Sequence, residues 1–489
     1  GREETLGKEH PLTLASVNNL ANSLLDMKDY AAAEPLYRQA LEGMERMLGK
    51  GHPETLRCLN NLARLLYTKG DYAAAEVRYR EVVQRQRERL PPADPALAEA
   101  LARWTSSLLA QGKFAEAEAP ARECLDICEK KLPDDWLTLN ARSLLGNSLL
   151  GQTKYAQAEP VLLRHLLALR QRGKEVAEQY MEAVLQRLVE VYAATGWSDA
   201  AASRFREAAG QAQPRDPELD ELLRLLQGMA LAKTNRLEEA DQALSQAIEM
   251  AAARAGTNGT VLARALLERS QVRERTGRAA EARADFLRSK GIPPRPAGAK
   301  PNLIDLSGQY NVSLTETWHQ SLGRSDLSEV PRGVRKFGGI EFDVRGLVQV
   351  GSKALDGRPY PKEVSGIVVR RRCQRLHFLH SAINAFDTPH GTEIGRYAVR
   401  YADGRVEKIP LVVGRDLADW FEQPRETTVP GEVVWTGTNE SSRTQKRKIR
   451  LFKLTWENPR PEVVIETVAV VSTSEVAAPF VVAITAEPE

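Results

Sequence analysis

The chain has 489 residues, of which 42% are hydrophobic and 27% are charged, a composition typical of folded globular domains. Its 68 basic residues nearly balance its 65 acidic residues, and no uninterrupted apolar run is long enough to cross a bilayer. We therefore expect neither nucleic acid nor a membrane among its partners. Four cysteines cannot form a disulfide framework in a chain of this length.

The first 290 residues repeat themselves at an interval of about 42 residues. Asp29-Tyr30-Ala31-Ala32-Ala33-Glu34 recurs at residues 71–76, and related motifs follow at 113–118 and 154–159. Each unit has the apolar spacing of two helices. The first helix is predicted over residues 11–26, with proline in its first turn, and the second starts after Asp29 as N-cap. One such pair cannot bury its own apolar face, so neighbouring units must stack.

These residues resemble the tetratricopeptide repeat, in the longer form found in kinesin light chains. Leu20-Ala21, Tyr30, Ala33, Tyr37 and Ala40 stand where that family has its packing residues. The resemblance implies an α-solenoid of about seven helix pairs over residues 1–290. Residues 6–11 match residues 48–53, so we expect an earlier repeat upstream. In the absence of a recognisable leader, we expect a cytoplasmic protein.

A different composition begins after a proline-rich segment at 291–302, which is predicted to be a stiff linker. From 303 to 489, short runs of Val, Ile, Thr and aromatic residues predict an antiparallel β-sandwich of jelly-roll type. The whole chain is thus predicted to be a multidomain α + β protein. Asp403-Gly404 predicts a tight hairpin turn in which both residues have positive φ. The predicted strands are 340–344, 348–350, 364–370, 375–380, 396–401, 406–413, 433–436, 449–456, 463–471 and 480–485.

Residues 303–487 resemble galactose-binding-like sandwich modules at the ends of multidomain bacterial proteins, notably those of planctomycetes. The resemblance rests on motifs such as 376–380 (Leu-His-Phe-Leu-His), 401–404 (Tyr-Ala-Asp-Gly) and 455–459 (Thr-Trp-Glu-Asn-Pro). It implies an accessory recognition module with carbohydrate as a possible ligand. A sugar-stacking surface would draw on Trp318, Trp420, Trp435 and Trp456. Packing in the core is the favoured interpretation for any one of them.

Catalytic motifs are not found: the sequence has no phosphate-binding loop, dinucleotide fingerprint, zinc-protease motif or nucleophile elbow. We predict no enzymatic activity, no cofactor and no metal in this chain. His377 and His380 alternate across a strand, which disfavours a joint metal site with Cys373 or His390. Strand alternation splits the basic run at 370–375 between the two faces of a strand, and the run at 443–450 is expected to form a solvated hairpin tip.

The repeats offer a better candidate site than residues 303–489, because the first helices line the concave groove in tetratricopeptide proteins. Asparagine suits such a groove, since its amide both donates to and accepts from an extended peptide. The alternative is that asparagines merely bond neighbouring helices. The predicted peptide-binding residues are Asn18, Asn19, Asn22, Asn60, Asn61, Arg64, Arg103, Ser106 and Asn147.

The sequence thus predicts a protein–protein interaction scaffold that binds a peptide or protein segment. Two alternatives stay open. The chain would otherwise be the regulatory C-terminal region of a larger bacterial serine/threonine kinase, or an extracellular carbohydrate-binding protein.

Overall fold

The computed structural model describes residues 2–172, 174–208, 217–254, 260–317, 323–352, 355, 360–423 and 431–488. The chain divides into two compact units, Gly1–Val261 and Leu262–Glu489.

Unit 1 is built from helices that follow the repeat. Its helices are α1 (Arg2–Leu6), α2 (Pro11–Asp26), α3 (Tyr30–Leu48), α4 (Pro53–Lys69), α5 (Tyr72–Arg87), α6 (Pro95–Ala110), α7 (Phe114–Lys131), α8 (Trp136–Gly151), α9 (Tyr155–Gln171), α10 (Lys174–Thr195), α11 (Asp199–Ala208), α12 (Pro217–Lys233) and α13 (Leu237–Ala253). The predicted bounds of α2 are confirmed. Asp29 caps α3 as predicted, since its Oδ1 accepts from the Ala32 N–H at 3.1 Å.

Small residues let the two helices of a pair approach closely. Ala33, Tyr37 and Ala40 share the inner face of α3 and are fully buried. Gly146 in α8 shows how little space is left, because a Cβ there would lie 2.5 Å from the Leu162 Cδ2 atom of α9. The repeat motif therefore fixes the distance between the helices of a pair as well as their positions.

Successive repeats are joined by a recurring carboxylate contact, which we call the inter-repeat clamp. A glutamate of one second helix accepts from a lysine in the following repeat. The pairs are Glu34–Lys69 at 3.0 Å, Glu76–Lys113 at 2.7 Å and Glu118–Lys154 at 2.7 Å. Hydrogen bonds from Lys154, Gln152 and Arg122 stabilise the ionised form of Glu118 more than partial burial destabilises it. They lower the pKa of Glu118 to about 2.

Unit 2 combines a helix pair with an antiparallel sandwich. Its elements are α14 (Thr260–Arg275), which starts at the division, α15 (Ala279–Ser289), β1 (Val312–Ser313), β2 (Gly333–Phe337), β3 (Ile340–Val344), β4 (Gly346–Gln349), β5 (Glu363–Arg371), β6 (Arg375–Ile383), β7 (Glu393–Tyr401), β8 (Val406–Val412), β9 (Glu432–Gly437), α16 (Glu440–Thr444), β10 (Ile449–Glu457), β11 (Ile465–Ser472) and β12 (Ala478–Glu487). The sheets have the orders β1-β4-β12-β6-β10-β9, β5-β11-β7-β8 and β2-β3. All predicted strands are present, while β1, β2 and α16 were not predicted.

The two larger sheets pack face to face around one apolar core. Phe378 of β6 stacks on Tyr397 of β7 with their ring centroids 3.9 Å apart. Leu287 of α15 and Ile292 belong to the same core and are 8% and 3% exposed. The Arg283 guanidinium also donates to the backbone carbonyl of Tyr310 at 2.7 Å. The helix pair α14–α15 is therefore part of unit 2.

This division differs from the predicted one, in which residues 291–302 form a linker and the sandwich begins at 303. Ile292 is buried in the sandwich core, and Arg295 donates to the Leu303 carbonyl at 2.8 Å. The start of this segment is therefore anchored to the domain through Ile292, whose apolar side chain is shielded from water.

The β7–β8 hairpin is present at Asp403-Gly404, but its turn differs from the predicted one. Only Gly404 has a positive φ, of 85°. The Gly404 N–H donates to the Tyr401 carbonyl at 3.0 Å, and strand pairing resumes at Arg400↔Val406. The connection is longer than two residues, so a single left-handed residue suffices to close it.

Candidate binding face of the repeat unit

The first helices of the repeats are linked side by side through polar side chains, and we call their shared surface the first-helix face. Asn61 of α4 donates to the Asn18 Oδ1 of α2 at 3.1 Å. One turn further on, Arg64 donates to the Asn22 Oδ1 at 2.9 Å. Four of the predicted site residues are thus brought together in two cross-helix bonds.

Asn18 does not have the exposure that was expected of a groove residue. Its side chain is fully buried, because α2 turns it toward α4, and its Nδ2 atom has no hydrogen-bond partner in the described structure. Its neighbour Asn19 is exposed. Asn61 therefore forms an interhelical hydrogen bond, as in the alternative interpretation of these asparagines. Asn19 remains accessible to another molecule.

A pocket of about 350 Å³ lies between α4 and α6, over the end of α5. Two predicted site residues, Asn60 and Arg103, line it. The other polar lining residues are Arg57, Gln86, Arg89 and Glu99, and the apolar ones include Leu56, Val82, Leu90, Ala96 and Ala100. The pocket thus offers apolar contact surface with cationic side chains around it.

The remaining predicted residues lie on the same series of helices without entering this pocket. Ser106 donates to the Ala102 carbonyl of its own helix at 2.9 Å, which occupies its hydroxyl hydrogen. Asn147 is half-buried on α8. On the neighbouring α10, Arg187 donates to Ser143 of α8 at 2.9 Å, so the cross-helix bonding continues along the face.

Sequence reasoning missed four polar residues of the pocket, which are Arg57, Gln86, Arg89 and Glu99. Arg57 lies one helical turn before Asn60 and Asn61, so helical spacing alone would have found it. Gln86 and Arg89 come from the end of α5 and the turn after it. No pattern in the sequence brings that turn to the first-helix face, because the contact depends on how α5 packs between α4 and α6.

His377 and His380 of unit 2 have structural partners. The His380 Nδ1 lies 2.9 Å from the Tyr397 hydroxyl inside the sandwich, and burial lowers the pKa of His380 to about 4. His377 contacts Thr455 at 3.0 Å and Glu487 at 3.1 Å. Among the described residues, no group of three His, Cys, Asp or Glu side chains could hold a metal ion.

The basic runs of unit 2 are mostly exposed, and some of their cations form ion pairs at the surface. Arg375 pairs with Glu457 at 2.6 Å, and Arg443 pairs with Glu329 at 2.5 Å. Arg450, expected to be solvated, is 3% exposed and donates to the Asp419 carbonyl, because β10 carries it into the domain. The second run also begins in the short helix α16.

The tryptophans of unit 2 form no shared exposed surface in the described structure. Trp420 is 1% exposed. Trp456 is half-buried against the core between the two larger sheets, and Trp435 is half-buried against a second apolar cluster that includes Trp420. Trp318 lies outside the described residues. None of the helices described in either unit is both long enough and apolar enough to span a bilayer.

Family comparison supports the repeats of unit 1. Residues 12–88, 97–135 and 223–254 match tetratricopeptide repeat families. Together with the helix-pair architecture, these matches define unit 1 as a tetratricopeptide-repeat solenoid. Such repeats generally serve as scaffolds for protein–protein interaction. None of the three matches lies in unit 2, and no curated protein is significantly similar to the chain.

Solved structures with similar helical repeats have low identity to this chain. A kinesin light chain from Podosopora anserina, with nearly identical TPR-like repeats, is 20% identical, covering 46% of this chain and 97% of its own, with a TM-score of 0.34. The TPR2AB domain of yeast Sti1, solved as a pHSP90 complex, is 17% identical, with coverages of 58% and 91% and a TM-score of 0.24. BtubC from P. vanneervenii is 16% identical, with coverages of 60% and 96% and a TM-score of 0.27.

Proposed function

We propose that unit 1 binds a polypeptide segment of a partner protein across the first-helix face, with unit 2 as an accessory recognition module. The observation that carries this proposal is the pocket between α4 and α6, which contains Asn60 and Arg103. It combines apolar surface with hydrogen-bonding groups, as recognition of a peptide requires.

The polar side chains of the face support an extended ligand. Asn19 is exposed on α2, and Asn60 and Arg103 are partly exposed on the next two first helices. Amides and guanidinium groups at successive repeats can bond successive carbonyls of one strand. Asn18, Asn22, Asn61 and Arg64 would hold the helices in place beneath that ligand.

A site-directed crosslinking experiment tests the proposal. The full chain carries a photo-crosslinking amino acid in place of Asn60, or in place of the exposed Val77 of α5 as the matched control. We expect a defined protein adduct from position 60 in the native lysate, with none from position 77. Adding Arg103→Ala should reduce the adduct while leaving the melting temperature unchanged. Equal adducts at both positions would contradict binding at this face.

A further inference from the structure

The pocket between α4 and α6 has an excess of positive charge. Arg57, Arg89 and Arg103 line it, and Glu99 is the single carboxylate among its described lining residues. Arg57 pairs with Glu54, outside the lining, and Arg103 lies 3.6 Å from Glu99. Both pairs are exposed and lie within one helical turn, so an anion can displace them at little cost.

Arg89 is the most available of the three cations. No carboxylate in the described part of the chain lies within ion-pair distance of its guanidinium. It stands in the turn after α5, and its side chain passes close to Gly51, where an added Cβ would be 3.1 Å from the Arg89 Cδ. The guanidinium is therefore held at the pocket without a partner of opposite charge.

Gln86 adds an acceptor to these donors. Its Oε1 atom is buried and accepts no hydrogen bond within the residues that the structure describes. A buried acceptor of this kind costs free energy until a donor reaches it. If the Gln86 amide turns toward the pocket, this oxygen can accept from an N–H group, which a peptide backbone supplies and a free inorganic anion does not.

We propose that this pocket binds a phosphorylated serine or threonine within the partner segment, an inference that rests on the proposed function. A carboxylate has one charge and is satisfied by one bidentate arginine. A phosphoryl group carries about −1.5 to −2 charges and three acceptor oxygens. It therefore matches three arginines, of which Arg89 has no ion-pair partner among the described residues and the other two are held only by exposed pairs. Val82, Leu90 and Ala100 provide apolar contact for the neighbouring side chain.

Degenerate peptide pools test this assignment with the full chain. Three pools of equal length are centred on phosphoserine, serine or glutamate, and binding is measured by fluorescence anisotropy at fixed ionic strength. The phosphoserine pool should bind at least about tenfold more tightly than either of the others. Equal binding of the serine pool, or of the glutamate pool, would overturn the proposal. Displacement by inorganic phosphate at the concentration of the peptide would overturn its peptide part.

Arginine variants identify the site. Arg89→Gln and Arg103→Gln should each weaken binding of the phosphoserine pool by about tenfold or more. Arg78→Gln is the matched control, since Arg78 is an exposed arginine of α5 outside the pocket, paired with Glu81 at 3.1 Å. Melting temperatures verify that all variants are folded. Equal effects of Arg89→Gln and Arg78→Gln would contradict the site.

The two proposals fail separately. If position 60 still forms the crosslink but the phosphoserine pool is not preferred, this inference is overturned and the proposed function stands. Loss of crosslinking together with loss of phosphoserine binding would overturn both.

Discussion

The Lys154 ammonium donates a hydrogen bond of 2.7 Å to the carboxylate of Glu118, joining the start of α9 to the second helix of the preceding repeat. Gln152 donates to the same oxygen at 2.9 Å. The arrangement reproduces Glu76 with Lys113 and Gln111 one repeat earlier. The contact links repeats where only neighbouring units touch, so it contributes to the interface energy between them.

The clamp predicts acid sensitivity of the solenoid. Glu118 has a folded-state pKa of about 2, below the value of about 4.3 for an unfolded glutamate. Its ionised form is therefore favoured by folding, and that stabilisation is present above about pH 4.3 and lost as the pH falls toward 2. Urea midpoints at pH 5 and pH 3 should differ less in Glu118→Gln than in wild type. Glu116→Gln, on the exposed side of α7, should keep the wild-type difference.

A second prediction contrasts Asn61, which bonds the buried Asn18, with the exposed Asn19. Asn61→Ala removes the hydrogen bond to the fully buried Asn18. It should lower the free energy of unfolding by about 1–3 kcal/mol, the cost of leaving a buried polar group unpaired. Asn19→Ala, at an exposed position, should change it by less than about 0.5 kcal/mol. Denaturant titrations measure both, and equal losses would contradict the assigned roles.

A third prediction concerns the close approach of α8 and α9. Glycine to alanine inside a helix usually stabilises by up to about 1 kcal/mol. Gly146→Ala should instead destabilise by about 1–3 kcal/mol, because the new methyl group overlaps Leu162. In the double variant Gly146→Ala/Leu162→Ala the added methyl group finds space. Its loss of stability should be smaller than the sum of the two single losses, and simple additivity would show that no overlap exists.

The extent of unit 2 gives a fourth prediction. A fragment starting at residue 260 retains α14 and α15, whereas one starting at 303 lacks Leu287 and Ile292 of the core. Each buried aliphatic side chain contributes about 1.5–3 kcal/mol. The longer fragment should therefore have the higher melting temperature and better dispersed amide signals. Identical melting curves would favour a domain that begins at 303.

Local signals account for what could be predicted from sequence. The bounds of α2 follow from a proline in the first turn and a helical period, and the strands follow from apolar runs between turns. The repeat also assigns the predicted groove residues to first helices, and the structure has helices at those positions. Which asparagine of the pair 18–19 is buried depends on a rotation of about one residue around the helix, which the neighbouring helix decides.

Long-range packing accounts for the rest. The proline-rich segment at 291–302 has the composition of a linker, yet Ile292 is buried by strands that are distant from it in sequence. Similarly, Arg89 reaches the pocket from a turn whose sequence has no binding motif. Both features depend on contacts between elements, which neither period nor composition encodes.

The position of β12 has a consequence for how unit 2 is made. Of the twelve strands that the structure describes, this one is the last in sequence, yet it lies between β4 and β6 in the six-stranded sheet. During translation, β4, β6 and α15 are therefore synthesised before β12, which completes the sheet. Until residues 478–487 are synthesised, the facing edges of β4 and β6 lack their shared neighbour and are open to pairing with other chains. We therefore expect this unit to finish folding only after β12 has been translated. Truncation inside β12 should prevent the six-stranded sheet from forming.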